Sequence, residues 1–341
     1  MSRTPNRVIT SALLLGAILG AILVGCSGEA TTTANANQPT VAFVTNGVDP
    51  FWDLAIAGAR DAAAELGVQL IEYAPTGGLT DQENKLEDLL SSGVDGIAVS
   101  PIDGENMVPL LNKIAGKTHL ITHDSDAPGS ERRCFIGCDN YLAGRAVGKL
   151  VREALPDGGQ LVLCIGRLEQ NNAQLRCQGV IDELLERSLD STRRDSYGDS
   201  ISGAGYTILT TLTDNFDQAA AQQKAEDALS KYADLDAFVG LFAYNPPICL
   251  DAVRTAKRDV KVIGFDEARA TVQGILDGSV VGTVTQNPYQ YGFDSVRVLK
   301  GLIDGDESVL PANGVLSIPF KVYQQDNAQE LMDLLVRVLG E

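Results

Sequence analysis

From Thr40 onward the chain alternates short β-branched apolar runs with amphipathic stretches of helical length, and this rhythm restricts the fold before any motif is considered. "TVAFVT" precedes a helical pattern over residues 50–66 that Gly67 closes. "VQLIEYA", a helix over about residues 80–92 closed by Gly93, "GIAVS", a helix near residues 105–115 and "HLITH" follow. The rhythm resumes with "QLVLCIG", "YTILTTL", "AFVGLF", "VKVIGF" and "VVGTVTQ", again separated by helix-length segments. Near-continuous apolar strands joined by helices belong to parallel sheets buried on both faces. The predicted class is therefore α/β, doubly wound. The strands are too many for one compact sheet, so two lobes are expected, each with its own parallel sheet. The segment "CFIGCDNYLAGRAVGKL" reads as the change from one sheet to the other. Residues 190–205, "DSTRRDSYGDSISGAG", read as a long surface loop inside the second lobe.

The 341 residues, 44% of them hydrophobic, suffice for about two domains. Against 45 acidic residues stand 27 basic ones, a net charge of −18, which repels phosphate backbones and argues against a nucleic-acid partner. Arg3 and Arg7 precede an apolar run over residues 8–24 that ends in "LVGC". This is the pattern of an export signal. A cysteine directly after the small residue resembles the lipobox of bacterial lipoproteins. That resemblance implies a signal peptide over residues 1–25, diacylglycerol on the Cys26 sulfur and a periplasmic or cell-surface lipoprotein held to the membrane by its lipid alone. Residues 26–39, small and polar, read as a flexible tether.

Five cysteines remain: Cys134, Cys138, Cys164, Cys177 and Cys249. The number is odd, so at least one is unpaired within the chain. Cys134 and Cys138, four apart on one expected strand, are too far separated to bridge. Cys164 on a strand and Cys177 on the next helix are placed to meet, with burial as small apolar side chains the commoner fate. No spacing of Cys and His predicts a metal site, and no cofactor is expected.

Ligands of doubly wound sheets lie beyond the carboxyl ends of the strands. The first strand is followed by Asp49, Phe51 and Trp52, and "GIAVS" ends in Ser100 with Asp103 beyond. "HLITH" leads to Asp124, Ser125 and Asp126; the helix after "LVLCIG" carries Asn171, Asn172 and Arg176. Later strand ends bring Asn215, Phe216 and Asp217, then Tyr244 and Asn245, then Phe265 and Asp266, then Gln286. Aromatic rings suit the C–H faces of a sugar, and carboxylates, amides and arginine suit its hydroxyls. Asp49-Pro50 is in addition a good helix start, an N-cap acid with proline at the first position. His119 and His123 read as strand residues rather than catalysts.

From Thr40 to about Tyr323 the chain resembles the periplasmic sugar-binding proteins of the ribose-binding type, the substrate-binding components of ABC importers. The motifs are "VAFVTNGVDPFW", "SSGVDGIAVSP", "IGCDNYLAGRAVGKL", "NAQLRCQG", "VIGFDEA" and "GTVTQNPYQYG", in family order. The resemblance implies a type I periplasmic binding protein: two doubly wound lobes, residues 40–138 plus 287–318 and residues 139–286 plus 319–341, joined by a multi-strand hinge. Its crossings are expected near Cys138-Asp139, Gln286-Asn287 and Ile318-Pro319. It further implies ligand contacts from Asp49, Phe51, Trp52, Ser100 and Asp124 on one side, and from Arg176, Phe216, Asn245, Asp266 and Gln286 on the other. Ser125 stands where a ribose binder typically has arginine, Ser100 where asparagine is usual, and Pro246 where aspartate is frequent, so ribose itself does not follow. A monosaccharide or polyol ligand, an ABC permease partner and a monomeric state are the expectations. The alternative is a sensor whose closed form docks on a chemotaxis or histidine-kinase receptor. An enzyme is not expected: there is no ordered Ser/His/Asp set, phosphate loop or metal cluster.

Overall fold

The computed structural model describes residues 38–340, so the expectations for the signal segment, Cys26 and nearly all of the tether lie outside the described residues. The first run of elements is β1 (Thr40–Val44), α1 (Pro50–Leu66), β2 (Gln69–Tyr73), α2 (Leu79–Ser92), β3 (Gly96–Val99), α3 (Val108–Ala115), β4 (His119–His123) and β5 (Phe135–Gly137). The second run is α4 (Asn140–Ala154), β6 (Gly159–Ile165), α5 (Asn171–Leu184), β7 (Ile201–Gly203), β8 (Tyr206–Thr213), α6 (Gln218–Lys231), β9 (Ala237–Gly240), α7 (Asn245–Ala256), β10 (Lys261–Phe265), α8 (Arg269–Leu276) and β11 (Thr283–Thr285). The chain then adds α9 (Pro288–Ile303), β12 (Val315–Ser317), β13 (Lys321–Tyr323) and α10 (Ala328–Leu339).

Two sheets result. The first has strand order β12-β5-β4-β3-β1-β2, and every pairing in it is parallel. The second has the order β13-β11-β10-β9-β6-β8-β7, parallel through its centre and antiparallel at both edges. The inner strands β1, β3, β4, β5, β6, β9, β10 and β11 are buried on both faces, as their unbroken apolar runs require, while the edge strands β2, β7, β12 and β13 are partly exposed. The chain passes between the sheets three times: from β5 to α4, from β11 to α9 and from β12 to β13. In each sheet the strand order reverses beside the first strand of its own run, at β1/β3 and at β6/β9. A crevice opens at such a reversal.

Local chemistry sets the elements that reach this crevice. Asp49 is the N-cap of α1, its carboxylate accepting the Phe51 N–H at 2.9 Å, with Pro50 following. Gly67 ends the helix in the left-handed conformation. Helices α4 and α5 touch backbone to backbone: a Cβ built on Gly144 would lie 2.2 Å from the Arg176 carbonyl oxygen. That contact excludes any larger residue and fixes the turn of α5 that carries Arg176.

Two expectations change, and the open question of Cys164 and Cys177 is answered. Residues 190–205 are not all loop, because Ile201–Gly203 pairs antiparallel with β8 through a turn in which Ala204 and Gly205 both have positive φ. Helix α3 begins at Val108 rather than near residue 105, since Asp103 accepts the Asn106 N–H and holds a separate turn there. Cys164 and Cys177 do not meet. Cys177, on α5, packs with α4 on one face of the second sheet, whereas Cys164 points to the other face, its Sγ 3.7 Å from that of Cys249. All five cysteines are buried free thiols, and Cys134 and Cys138 flank β5. Among the described residues, no helix is long and apolar enough to cross a membrane, and no cluster of His, Cys, Asp and Glu could hold a metal.

Candidate functional site

The strand ends of both sheets converge on one cavity of about 30 Å3. Asn46, Asp49, Phe51, Trp52 and Asp124 line it from the first sheet's side. Arg176, Phe216, Phe242, Ala243, Tyr244 and Asp266 line it from the second, with Gln286 at a crossing. Eight of the ten residues singled out in the sequence are thus brought together: Asp49, Phe51, Trp52, Asp124, Arg176, Phe216, Asp266 and Gln286. Ser100 and Asn245 do not line the cavity. Ser100 Oγ donates to Asp124 Oδ2 at 3.1 Å. Asn245 accepts the Phe242 N–H and donates to Asp214 Oδ2 at 3.2 Å. Both hold lining residues from behind.

Arg176 organises the centre. It is 1% exposed, which for a guanidinium demands partners on every side. Its Nε donates to Asn140 Oδ1 at 2.8 Å and its Nη1 to the Leu241 carbonyl at 3.0 Å. Its planar group lies over the Phe265 ring at 4.1 Å and the Phe242 ring at 5.2 Å. Asp124 of the first sheet and Asp266 of the second each stand 3.7 Å from it. Nη2 has no hydrogen-bond partner among the described residues, so its two N–H groups remain for a ligand.

The acids are strained as well as buried. Asp124, Asn215, Phe216 and Asp266 all have φ between 56° and 66°, a region that non-glycine residues occupy at a cost of about 1–3 kcal/mol and chiefly at functional sites. Asp124 Oδ2 accepts Ser100, Asn172 and Asn46 side chains at 3.1, 3.1 and 3.4 Å. Gln286 Nε2 donates to Asp266 Oδ1 at 2.8 Å, and the Tyr291 hydroxyl donates to the Gln286 side-chain Oε1 at 3.1 Å. Burial raises the Asp124 carboxyl above the usual range against the pull of Arg176. It pushes Asp266 up to about 7, opposed by Arg176 and Gln286. It also raises Asp49, opposed by the Phe51 N–H.

Five rings complete the walls. Phe51 and Trp52 meet edge to face at 4.9 Å, and His123 stands edge-on to Trp52 at 5.7 Å while stacking on Phe43 at 4.2 Å. Full burial lowers the His123 pKa to about 3, so the ring serves as a neutral support for Trp52. On the second sheet's side, Phe216 lies 5.4 Å from Phe242 and 6.0 Å from Tyr244. Asp214 ties this group down, accepting the Tyr244 hydroxyl, the Asn245 amide and the Phe216 N–H.

The sequence reading omitted Asn46, Phe242 and Ala243 from the site, and Asp214 behind it, and named Tyr244 only as a strand-end residue. The signal for Asn46 was present, since it follows the first strand directly. Phe242 was hidden because "AFVGLF" reads as one apolar strand, whereas pairing ends at Gly240 and leaves Phe242 beyond the tip.

The family model of the periplasmic binding protein domain matches residues 41–307. The chain belongs to the periplasmic binding protein family. Members bind ligands rather than transform them, so this is a binding protein and not an enzyme, and the family implies an exported chain. Among similar curated proteins is the ribose import binding protein RbsB of Salmonella typhimurium, 24% identical over 82% of this chain and 90% of the relative. A xylitol-binding protein of Mycolicibacterium smegmatis is 21% identical over 88% of this chain and 82% of the relative. The solved structure of GanP, a glucose-galactose binding protein from Geobacillus stearothermophilus, superposes with a TM-score of 0.74 at 26% identity, covering 85% of this chain and 98% of that one.

Proposed function

We propose that this periplasmic binding protein takes a monosaccharide or related polyol between its two sheets, closes on it and delivers it to an ABC-type importer. The observation that carries the reading is the convergence of five aromatic rings with Asp124, Arg176 and Asp266 from both sheets on one cavity. Phe51 and Trp52 cover one face of the guest and Phe216 and Phe242 the other. Asp49, Asp124 and Asp266 accept from its hydroxyls, and Arg176 Nη2 donates. The polar groups are already oriented by their own partners, so a guest lacking the matching hydroxyl leaves them buried and unpaired. Relatives named for ribose import and for xylitol binding support both the polyhydroxylated guest and the import role.

The cavity is far smaller than a sugar ring, so entry requires the sheets to part. The lobes are residues 40–138 plus 287–318 and residues 139–286 plus 319–341. They rotate about the crossings near residues 138–139, 286–287 and 318–319. The protein acts as a monomer tethered through lipidated Cys26. Thermal melting of the protein from Gln38 onward against pentoses, hexoses and polyols tests the reading. A ligand with Kd near 1 μM, ~−8.2 kcal/mol, stabilises by ~2.7 kcal/mol at a hundredfold excess over Kd and raises Tm. A flat response to every sugar and polyol overturns the carbohydrate assignment.

A further inference from the structure

The charges of the cleft do not balance. Asp49, Asp124 and Asp266 line the cavity, and Arg176 is the one cationic side chain that does so among the described residues. A fourth acid, Glu267, follows Asp266 directly. It is 6% exposed, and neither of its oxygens has a hydrogen-bond partner among the described residues. It lines a groove of about 770 Å3 that shares Asp49, Phe51 and Tyr244 with the cavity and that Arg60, bonded to Glu72, and Arg269 also line. Arg176 is committed to Asn140 and the Leu241 carbonyl, and its charge is divided between Asp124 and Asp266. Among the described residues, Asp49 has only the Phe51 N–H against one of its oxygens.

Desolvation disfavours the anion of a buried acid and so favours its protonated form. Burial is the leading cause of a raised pKa at Asp49, Asp124, Asp266 and Glu267 alike. A cation entering beside them replaces those protons. The walls suit a cation too, since the faces of Phe51, Trp52 and Tyr244 attract positive charge.

We propose that the ligand is a polyhydroxylated amine, such as an amino sugar or amino alditol, whose ammonium lies against Asp49 on the side facing Glu267. Its hydroxyls take Asp124, Arg176 and Asp266. This rests on the sugar-cleft reading above and narrows it to a cationic class. Binding then exchanges carboxyl protons for the ammonium and releases them to solvent, a signature that a neutral sugar does not share.

The test is titration calorimetry on the purified protein. D-glucosamine, D-galactosamine, D-mannosamine and 1-amino-1-deoxyalditols are each compared with the hydroxyl parent, at a pH where the amine is fully protonated. Two buffers of different ionisation enthalpy count the protons released. At least one amine should bind tenfold or more tighter than its parent, with proton release. Asp49→Asn should cut that amine-to-parent ratio tenfold or more. Asparagine is as good an N-cap as aspartate, so α1 keeps its start in this variant. Binding of neutral parents with no amine exceeding them overturns the cationic class and leaves the sugar cleft standing. Binding of neither amines nor parents overturns the cleft reading and this inference with it. An amine preference that survives Asp49→Asn unchanged, or that comes without proton release, also overturns the placement proposed here.

Discussion

Arg176 of the second sheet's helix α5 and Asp124 at the tip of β4 in the first sheet stand 3.7 Å apart. The contact spans the division between the sheets, so it holds only while they are close. Arg176 also keeps bonds within its own lobe, to the Leu241 carbonyl and through Asn140. On the lobe motion proposed above, Arg176 keeps these bonds and leaves with Asn172, and Asp124 retains only its first-sheet donors Asn46 and Ser100.

Removing this guanidinium should cost binding directly. Arg176→Ala is expected to weaken the best ligand by more than tenfold in calorimetric titration, because Asp124 and Asp266 then face each other without a cation between them. An affinity equal to that of the wild type would place Arg176 outside the recognition machinery.

The helix contact that carries Arg176 should be intolerant of a single methyl group. A Cβ on Gly144 would lie 2.2 Å from the Arg176 carbonyl oxygen, so Gly144→Ala must push α4 and α5 apart. We expect a loss of ~1–3 kcal/mol in urea unfolding, as overpacking generally costs, together with weaker ligand binding. Wild-type stability in this variant would contradict the close packing described.

Rising pH near neutrality should destabilise the ligand-free protein. Asp266, with a folded pKa of about 7 against an ordinary value of 3.8, holds its proton more tightly folded than unfolded. Its contribution is complete below the unfolded pKa and is lost as pH rises through about 7. Asp124 and Glu267 are shifted the same way by burial. The histidines act oppositely, since burial lowers His119 and His123, but their effect ends near the ordinary histidine value of 6.5. Between roughly pH 6.5 and 7 the Asp266 contribution remains, and unfolding free energy should fall by up to ~1.4 kcal/mol per pH unit for that proton. Asp266→Asn should flatten part of that slope. Denaturant midpoints that stay level or climb over this range in the wild type would count against it.

The thiols should be silent in the native state. Cys134, Cys138, Cys164, Cys177 and Cys249 are all buried. Burial pushes Cys138 and Cys177 up to about 12, so little reactive thiolate exists at neutral pH. In the reduced protein from Gln38 onward, a disulfide-forming colorimetric reagent should find five thiols only after unfolding. Rapid labelling of any one of them in the folded protein would show that its surroundings are open.

Much of this fold is legible because its signals are local. Asp49-Pro50 and Gly67 bound α1 by capping chemistry that acts within a few residues, and β-branched runs such as "VKVIGF" mark the buried strands. Strand β7 is not legible in this way. Its three residues, Ile201–Gly203, gain their conformation from pairing with β8 through an Ala-Gly turn rather than from propensity. Asp49, Asp124 and Asp266 are visible as residues just past strand tips. Asp214 directly follows β8 and Glu267 lies two residues past β10, yet that position does not reveal their roles, which come from what surrounds them in space: Asp214 gathers three partners, and Glu267 has no hydrogen-bond partner among the described residues. The Cys164–Cys249 approach escapes for the same reason, as the choice of sheet face is made by alternation along β6 rather than by spacing to the next helix.

A crystal structure of the protein with the sugar, polyol or amine that raises Tm most is the most direct measurement. The account predicts that guest between Trp52 and Phe216, bonded at once to Asp124 from the first sheet and to Arg176 and Asp266 from the second. A guest held by residues of one sheet alone, or bound outside the cleft, would contradict it.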